Sequence, residues 1–334
     1  MRRLLALLLC LILCAACLSV PAETPEVVKL KIATPPDRTR YIQGEAFDPA
    51  GLTVDAEMSD GTLVENVPFG YEAGEVTPNG SCVITCSYGG KTTMQIVFYT
   101  LLGNTDPYSV ASTERLADSP LAGKTYVFLG SSVTYGASSE KESMADFLAA
   151  RHGAVCIKEA VSGTTLASPK GQGKSYVKRF ERFLAGEDCP KAVDAFICQL
   201  STNDMKSPDR FGTITPEDVR DKAAFDVATT FGAMEYIIAL AKETWDCPVV
   251  FYTNCRMDQP DYLTMVEGLD RLQAKWDLTV IDLFRDDAFN DITPEQYSLY
   301  MADEIHPTRA GYREWWLPRF EAALLALAGA EQQP

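Results

Sequence analysis

Two short segments contain residues that could together attack a carbonyl carbon. The first is Gly130-Ser131-Ser132-Val133-Thr134-Tyr135-Gly136, a run rich in small residues, and the second is Asp303-Glu304-Ile305-His306-Pro307. A histidine that a carboxylate orients through one ring nitrogen can take a serine proton with the other nitrogen. This combination predicts nucleophilic catalysis, with Ser132 as nucleophile, His306 as base and Asp303 as the orienting carboxylate.

Two further segments offer groups that could stabilise the negative charge formed by that attack. They are Ser162-Gly163-Thr164-Thr165 and Ser201-Thr202-Asn203-Asp204. Glycine lets a backbone N–H approach a ligand closely, and the side-chain amide of Asn203 can donate to an oxyanion. Each segment taken alone is also typical of an ordinary turn, so the prediction depends on all the segments occurring together.

In order, in spacing and in position relative to the predicted strands, these segments resemble the SGNH/GDSL hydrolase family over roughly residues 124–327. The resemblance implies a serine enzyme that hydrolyses esters without a cofactor or a metal. It implies Ser132, Asp303 and His306 as catalytic residues and an oxyanion hole formed by Ser132, Gly163 and Asn203. Ser131 stands where the family usually has aspartate and remains an alternative nucleophile, while Ser201 stands where glycine is usual.

Five short apolar runs, separated by helical stretches, must position these residues. The runs are Tyr126–Leu129, Val155–Ile157, Ala195–Leu200, Val249–Tyr252 and Leu278–Ile281. Strands that alternate with helices predict an α/β fold, with a parallel five-stranded sheet between two helical layers. This is the three-layer α/β/α, flavodoxin-like arrangement that the resemblance implies. Active groups of such sheets lie at the carboxyl ends of the strands, where the candidate residues fall.

The other histidine and several aspartates have simpler explanations. His152 ends a predicted helix, where its position near the helix dipole is sufficient reason for it. Asp282 follows the fifth predicted strand and is an alternative carboxylate for the catalytic histidine. Three more acidic residues could suggest calcium, but a solvated loop is favoured for Asp286, Asp287 and Asp291. No zinc spacing and no phosphate-binding loop occurs in the sequence.

The last predicted helix is rich in aromatic residues. They are Tyr312, Trp315, Trp316 and Phe320. We expect them to pack against the sheet rather than to form a platform for a sugar. Pro318 lies among them and is expected to kink or split the helix, because proline cannot donate the helical hydrogen bond.

Residues 24–100 show short alternating apolar patterns bounded by turn residues, which predicts β-structure. The segments Tyr41-Ile42-Gln43-Gly44-Glu45 and Ser59-Asp60-Gly61-Thr62 resemble a bacterial immunoglobulin-like domain. The resemblance implies an all-β sandwich that acts as a spacer or adhesion unit. Residues 101–120 have little periodicity and are interpreted as a linker, and residues 121–330 as the hydrolase domain.

Residues 1–22 have the features of a signal peptide. Met1-Arg2-Arg3 precedes a short apolar run that is too short to span a bilayer, so export is expected. Val20-Pro21-Ala22 fits an ordinary cleavage site, whereas Ala15-Ala16-Cys17 resembles a lipoprotein site. The sequence therefore leaves two alternatives, a soluble secreted protein and a cell-surface protein with a lipid on Cys17.

The chain is strongly acidic, with a formal net charge of −16. This charge disfavours nucleic acid and anionic lipid as partners. The cysteines show no regular spacing, so free buried thiols are expected. Cys189 and Cys247 each precede a proline at the start of neighbouring predicted strands, and they are the one pair that could form a disulfide.

The sequence predicts an ester substrate but does not specify the acyl group or the alcohol. Acetylated polysaccharide is a hypothesis, because an adhesion-like module would hold an exported enzyme at a surface. A catalytically weak or inactive cell-surface protein that binds glycans is the alternative from a different class. Cleavage of thioesters or peptide bonds by the same residues is a further alternative.

Overall fold

The computed structural model describes residues 24–171 and 173–330, and the predicted signal peptide and Cys17 lie outside this range. The chain forms two compact units. The first contains most residues up to Phe98, and the second contains the chain from Tyr99 onward, together with two short segments before it. Among the described helices, none has the length and apolar character needed to cross a membrane.

The first unit consists of β-strands. Its strands are β1 (Val27–Thr34), β2 (Arg40–Ile42), β3 (Thr53–Met58), β4 (Leu63–Val64), β5 (Gly70–Ala73), β6 (Ser81–Tyr88) and β7 (Lys91–Thr100). They form a three-stranded sheet in the order β1-β3-β4 and a four-stranded sheet in the order β2-β7-β6-β5. Alternate residues of β6 are buried, namely Cys82, Ile84 and Cys86. The expected β-structure is present, and the immunoglobulin-like assignment stays a prediction.

The second unit is built on a parallel sheet of five strands, as the sequence predicted. They are β8 (Thr125–Gly130), β9 (Val155–Ala160), β10 (Ala195–Gln199), β11 (Val249–Tyr252) and β12 (Thr279–Ile281). Their order is β12-β11-β10-β8-β9. The chain leaves β8 toward one edge and later returns to β10 on its other side. The carboxyl end of β8 is therefore the topological switch point of the sheet, where α/β proteins usually form their sites.

Helices cover both faces of this sheet. They are α1 (Ser132–Tyr135), α2 (Met144–His152), α3 (Tyr176–Leu184), α4 (Thr230–Trp245), α5 (Pro260–Trp276), α6 (Asp287–Asn290), α7 (Pro294–Tyr300) and α8 (Leu317–Ala330). Side chains of β8 alternate between two apolar cores. Val127 and Leu129 join the core under α3, α4 and α5. Tyr126 and Phe128 join the core under α2 and α8.

The segment that the sequence favours as a linker is not an extended connection. Residues 102–112 form three short 3₁₀-helices, Leu102–Asn104, Asp106–Tyr108 and Val110–Ser112. Within the second unit, the Asn104 side chain donates to the carbonyl oxygen of Ser138 over 2.7 Å and accepts from the Arg309 N–H over 2.9 Å. These bonds hold the segment on the second unit.

The aromatic residues near the C-terminus pack in the core, as expected. Tyr312, Trp316 and Phe320 are almost completely buried. The chain forms a π-helical stretch over Gly311–Trp316 before α8 begins. Pro318 is the second residue of α8 and cannot donate a backbone hydrogen bond, which agrees with the change of helical register at this point.

All seven cysteines of the described residues are free thiols, including Cys189 and Cys247. The structure therefore contains no bridge between that pair. Burial raises the pKa of Cys198 well above its ordinary value. Such thiols behave as small apolar side chains rather than as nucleophiles.

Candidate active site

Ser132 lies in a tight turn between β8 and α1, and it is the first residue of that helix. Its backbone N–H belongs to the first helical turn, where no intrahelical acceptor is available. The turn begins at Gly130, where an added Cβ atom would collide with the side chains of Thr134 and Gln199. The glycine is thus required by the close packing that points the next residues toward the sheet edge.

The structure places Ser132 and His306 in hydrogen-bond contact, although 174 positions separate them in the chain. The distance between Ser132 Oγ and His306 Nε2 is 2.8 Å. His306 Nδ1 lies 2.9 Å from both carboxylate oxygens of Asp303. A carboxylate accepts, so Nδ1 carries the proton and Nε2 is left to accept from the serine hydroxyl. The arrangement can move a proton from Ser132 to His306.

Asp303 is held in place by its own loop. Its Oδ1 accepts from the backbone N–H groups of Ile305 at 2.8 Å and His306 at 2.7 Å. Burial opposes its ionisation, but the hydrogen bond and charge of His306 and these backbone donors together hold the pKa of Asp303 below its ordinary value. Asp303 is therefore the ionised partner that keeps His306 in the required tautomer.

Asn203 lies against the loop that carries Gly163. Its Nδ2 donates to the carbonyl oxygen of Thr164 over 2.9 Å, which uses one of its two amide hydrogens. Gly163 has a φ of 76° and open space where a side chain would lie. Its backbone N–H has no hydrogen-bond acceptor among the described residues. The second hydrogen of Asn203 and the Gly163 N–H could both donate to a bound oxygen.

Asp204 holds this loop in place through hydrogen bonds to its side-chain carboxylate. Its carboxylate accepts from the N–H groups of Leu166 at 2.8 Å and Ala167 at 3.0 Å, and from the hydroxyl of Thr230 at 3.2 Å. Because burial outweighs these donors, the pKa of Asp204 is raised. The role that the sequence suggested for Asp204, tying down a loop, agrees with these contacts.

Ser131, the alternative nucleophile, faces the interior. It is completely buried, and both its N–H and its hydroxyl donate to Gln199 Oε1, at 2.9 and 3.3 Å. Thr134 Oγ1 donates to the same oxygen over 2.9 Å. Ser132 rather than Ser131 is therefore the serine that contacts His306.

Arg179 was not predicted from the sequence, although it contacts both the turn before Ser132 and the loop after Gly163. It is 3% exposed, and its Nη2 donates to the carbonyl oxygen of Gly130 at 2.6 Å and to Thr164 Oγ1 at 3.2 Å. Its Nη1 donates to the carboxylate of Glu159 over 2.9 Å. The available signal was a charged residue between Val177 and Phe180 on the apolar face of a helix.

The other candidate residues form separate structural contacts. His152 lies between Ser119 Oγ at 2.6 Å and Glu321 Oε1 at 2.8 Å, and it does not belong to the Ser132 site. Asp282 forms an ion pair with Arg285, at 2.5 Å. It is therefore engaged away from His306.

Two of the three aspartates that could have suggested calcium act as local structural groups. Asp286 caps α6 by accepting from the Phe289 N–H, and it pairs with Arg319 at 2.8 Å. Asp287 pairs with Arg256 at 2.6 Å. In residues 24–171 and 173–330, no group of three or more His, Cys, Asp or Glu side chains is placed to hold a metal ion.

Comparison with known proteins gives one family match. The model of the GDSL-like Lipase/Acylhydrolase family matches residues 128–314, which is more than half of the chain. This range includes every residue of the candidate site. No curated protein is similar to the chain at a significant level.

Several crystal structures are similar to this chain at low sequence identity. One is 22% identical with a TM-score of 0.50, and the match covers 62% of this chain and 99% of that one. A protein from Lactobacillus plantarum is 18% identical with a TM-score of 0.46, covering 64% and 99%. A protein from Bacteroides ovatus described as a GDSL-like lipase is 15% identical with a TM-score of 0.44, covering 61% and 99%. The first of these shows a common fold and nothing about the substrate.

Proposed function

The chain belongs to the GDSL-like lipase/acylhydrolase family, and on this premise we propose that it is a serine esterase. It hydrolyses carboxylic esters through an acyl-enzyme on Ser132. The observation that carries this proposal is the 2.8 Å contact between Ser132 Oγ and His306 Nε2, with Asp303 on the opposite ring nitrogen. No group other than these side chains is needed for the proton transfers.

In the proposed reaction Ser132 Oγ attacks the ester carbonyl carbon while His306 Nε2 takes the hydroxyl proton. The tetrahedral intermediate collapses when His306 gives this proton to the departing alcohol, which leaves an acyl group on Ser132. Water then repeats the sequence, with His306 as base, and releases the acid. Asp303 stabilises the imidazolium form of His306 during both acylation and deacylation, without taking its proton.

The negative charge on the carbonyl oxygen needs donors that are in position before the reaction. The backbone N–H groups of Ser132 and Gly163 and the free amide hydrogen of Asn203 are the proposed donors. Fixed donors of this kind stabilise the transition state more than the substrate, because the charge develops only during the attack. Asp204 and Arg179 hold the loop around Gly163 in place through hydrogen bonds to its residues.

A fluorophosphonate probe tests the proposal directly, because it reacts covalently with an activated serine. The wild-type protein should be labelled and should hydrolyse 4-nitrophenyl acetate, and Ser132→Ala should do neither. Ser119→Ala is the matched control, since Ser119 also contacts a histidine that is bonded to a carboxylate. Labelling that persists in Ser132→Ala, or is lost in Ser119→Ala, would contradict the assignment of Ser132 as the nucleophile. No labelling of the wild type would favour a glycan-binding protein without activity.

We propose acetylated polysaccharide as the substrate, which the enzyme would deacetylate, and export as a secreted or a cell-surface protein as the context. Both rest on the sequence of residues 1–22 and on the resemblance of residues 24–100 to an adhesion-type module, which the presence of two β-sheets supports. The rate of acetate release from acetylated xylan, pectin and peptidoglycan should exceed the rate of fatty-acid release from long acyl lipids. Activity confined to long acyl lipids would overturn the substrate proposal. Mass spectrometry of the mature N-terminus would distinguish lipidated Cys17 from a cut after Ala22.

A further inference from the structure

One segment of this acidic protein has the opposite charge. Between residues 155 and 184 the cations outnumber the carboxylates, which are Glu159 and Glu181. The cations are Lys158, Lys170, Lys174, Lys178, Arg179 and Arg182. The chain as a whole has 46 acidic and 30 basic residues, so the net charge of the segment is opposite in sign to that of the chain. It also contains Gly163, a proposed oxyanion donor.

A cavity of about 430 Å³ lies beside this segment. It is lined by Glu159, Val161, Lys174, Arg179, Arg182 and Phe183. Glu159 pairs with Arg179 at 2.9 Å, so these two charges compensate each other. Lys174 and Arg182 are exposed, and among the described residues neither has an ion-pair partner. The cavity therefore presents two uncompensated positive charges.

One backbone hydrogen bond connects the lining of the cavity to the turn that carries Ser132. Val161 donates its N–H to the carbonyl oxygen of Gly130 over 3.3 Å, and Gly130 is two residues before Ser132. Val161 is also two residues before Gly163. A long substrate whose ester lies at Ser132 could extend past the glycine loop into the cavity.

We propose that this cavity, with Lys174 and Arg182, binds a carboxylate of the substrate, so that the enzyme prefers esters carried on a carboxylated glycan. The proposal rests on the esterase function proposed above. A guanidinium and an ammonium are the groups that hold carboxylates. In a cleft of one sign the field also raises the local concentration of oppositely charged substrate.

The lining favours a glycan over an anionic lipid. Four of the six lining residues are charged, and Phe183 supplies the one aromatic ring. A single ring can cover the C–H face of a sugar, whereas an acyl chain would need a continuous apolar wall.

The test measures kcat/KM for acetylated polygalacturonate, acetylated xylan and 4-nitrophenyl acetate at low and high salt. The wild type should prefer the carboxylated polymer, and the preference should shrink as salt increases. In Lys174→Gln/Arg182→Gln, kcat/KM for the carboxylated polymer should fall about tenfold. Hydrolysis of 4-nitrophenyl acetate should stay unchanged, because the small ester does not reach the cavity.

Lys178→Gln is the matched control, because Lys178 lies in the same segment and its removal changes the net charge by the same sign. Its side chain pairs with Glu181 at 2.8 Å and does not line the cavity. Equal rates on both polymers, an equal loss in Lys178→Gln, or hydrolysis of anionic lipid esters without hydrolysis of the glycan would each overturn the inference. In all three cases activity on 4-nitrophenyl acetate would still support the esterase function, so the two proposals can fail separately.

Discussion

Arg179 donates to the backbone carbonyl oxygen of Gly130 over 2.6 Å, and this bond joins a helix to the end of the strand that leads to Ser132. The same guanidinium nitrogen donates to Thr164 in the loop after Gly163. A single buried cation thus links the turn of the proposed nucleophile to the loop of a proposed oxyanion donor. A planar group with several donors can do this, but a single ammonium group cannot satisfy the same set of acceptors.

Replacement of Arg179 should therefore reduce turnover more than substrate binding. In Arg179→Met, kcat for 4-nitrophenyl acetate should fall by about 10²-fold with little change in KM, because small displacements of reacting groups have effects of this size. Arg179→Lys should recover part of the loss. A change in KM alone, or an unchanged kcat in a folded variant, would show that Arg179 does not position the site.

The ion pair between Lys275 and Glu235 offers a stability control for that experiment. Its two charged atoms lie 2.6 Å apart, the side chains are buried, and Thr215 contacts both of them. Lys275→Met leaves an unpaired buried carboxylate and should lower the free energy of unfolding by about 3–5 kcal/mol, as measured by urea denaturation. In Glu235→Leu/Lys275→Met much of this loss should be recovered. A larger loss in the double variant would contradict this explanation.

Among the described residues, the side chains of this pair form hydrogen bonds with Thr215 and with each other, and with no residue of the candidate site. Lys275→Met should therefore keep kcat close to the wild-type value under conditions where it stays folded. Comparison with Arg179→Met then separates loss of stability from loss of positioning. A fall of kcat in Lys275→Met as large as that in Arg179→Met would mean that turnover follows stability alone.

Asn203→Ala should slow ester hydrolysis by about 10²-fold or more, because it removes a proposed donor to the oxyanion. The fluorophosphonate probe should still label Ser132 in this variant, more slowly, since the serine and histidine are unchanged. Initial rates on 4-nitrophenyl acetate provide the measurement. Wild-type rates in the variant would show that Asn203 is not a donor in the transition state.

Asp303→Asn should lower kcat at neutral pH by on the order of 10⁴-fold, because an amide can stabilise the wrong tautomer of His306. The control is Asp282→Asn, which changes the other carboxylate considered for this role. Its kcat should remain near the wild-type value, because Asp282 pairs with Arg285. A comparable loss in both variants would contradict the assignment of Asp303.

Asp303 should also contribute to the acid stability of the protein. The pKa of its carboxyl in the folded state lies below the ordinary value of 3.8. The contribution of such a group is present above the pKa of the unfolded state and is lost as pH falls through the lowered pKa. The difference in the free energy of unfolding between wild type and Asp303→Asn should therefore shrink from pH 6 toward pH 3. A difference that grows on acidification would reverse the sign of this linkage.

The sequence alone was sufficient to predict the parallel sheet and to name Ser132, Asp303 and His306, which are in contact in the structure. Buried strands appear as short apolar runs, because both faces of the sheet are covered and each residue must be apolar. Polar residues that follow such runs are brought to one edge of a parallel sheet, and this predicts that Ser132, Gly163 and Asn203 lie near one another. These are consequences of local pattern and of strand direction.

The tertiary structure decided which serine faces His306 and what supports it. Ser131 and Ser132 are adjacent and chemically alike, and only the packing of Gly130 against Thr134 and Gln199 turns one inward and the other toward the histidine. The role of Arg179 and the cavity with Lys174 and Arg182 were likewise not evident from the sequence. They depend on contacts between segments that are far apart in the chain. The free energy of such contacts is set by the burial of the groups and by the distance between them. Neither quantity is determined by the residues that are neighbours in the sequence.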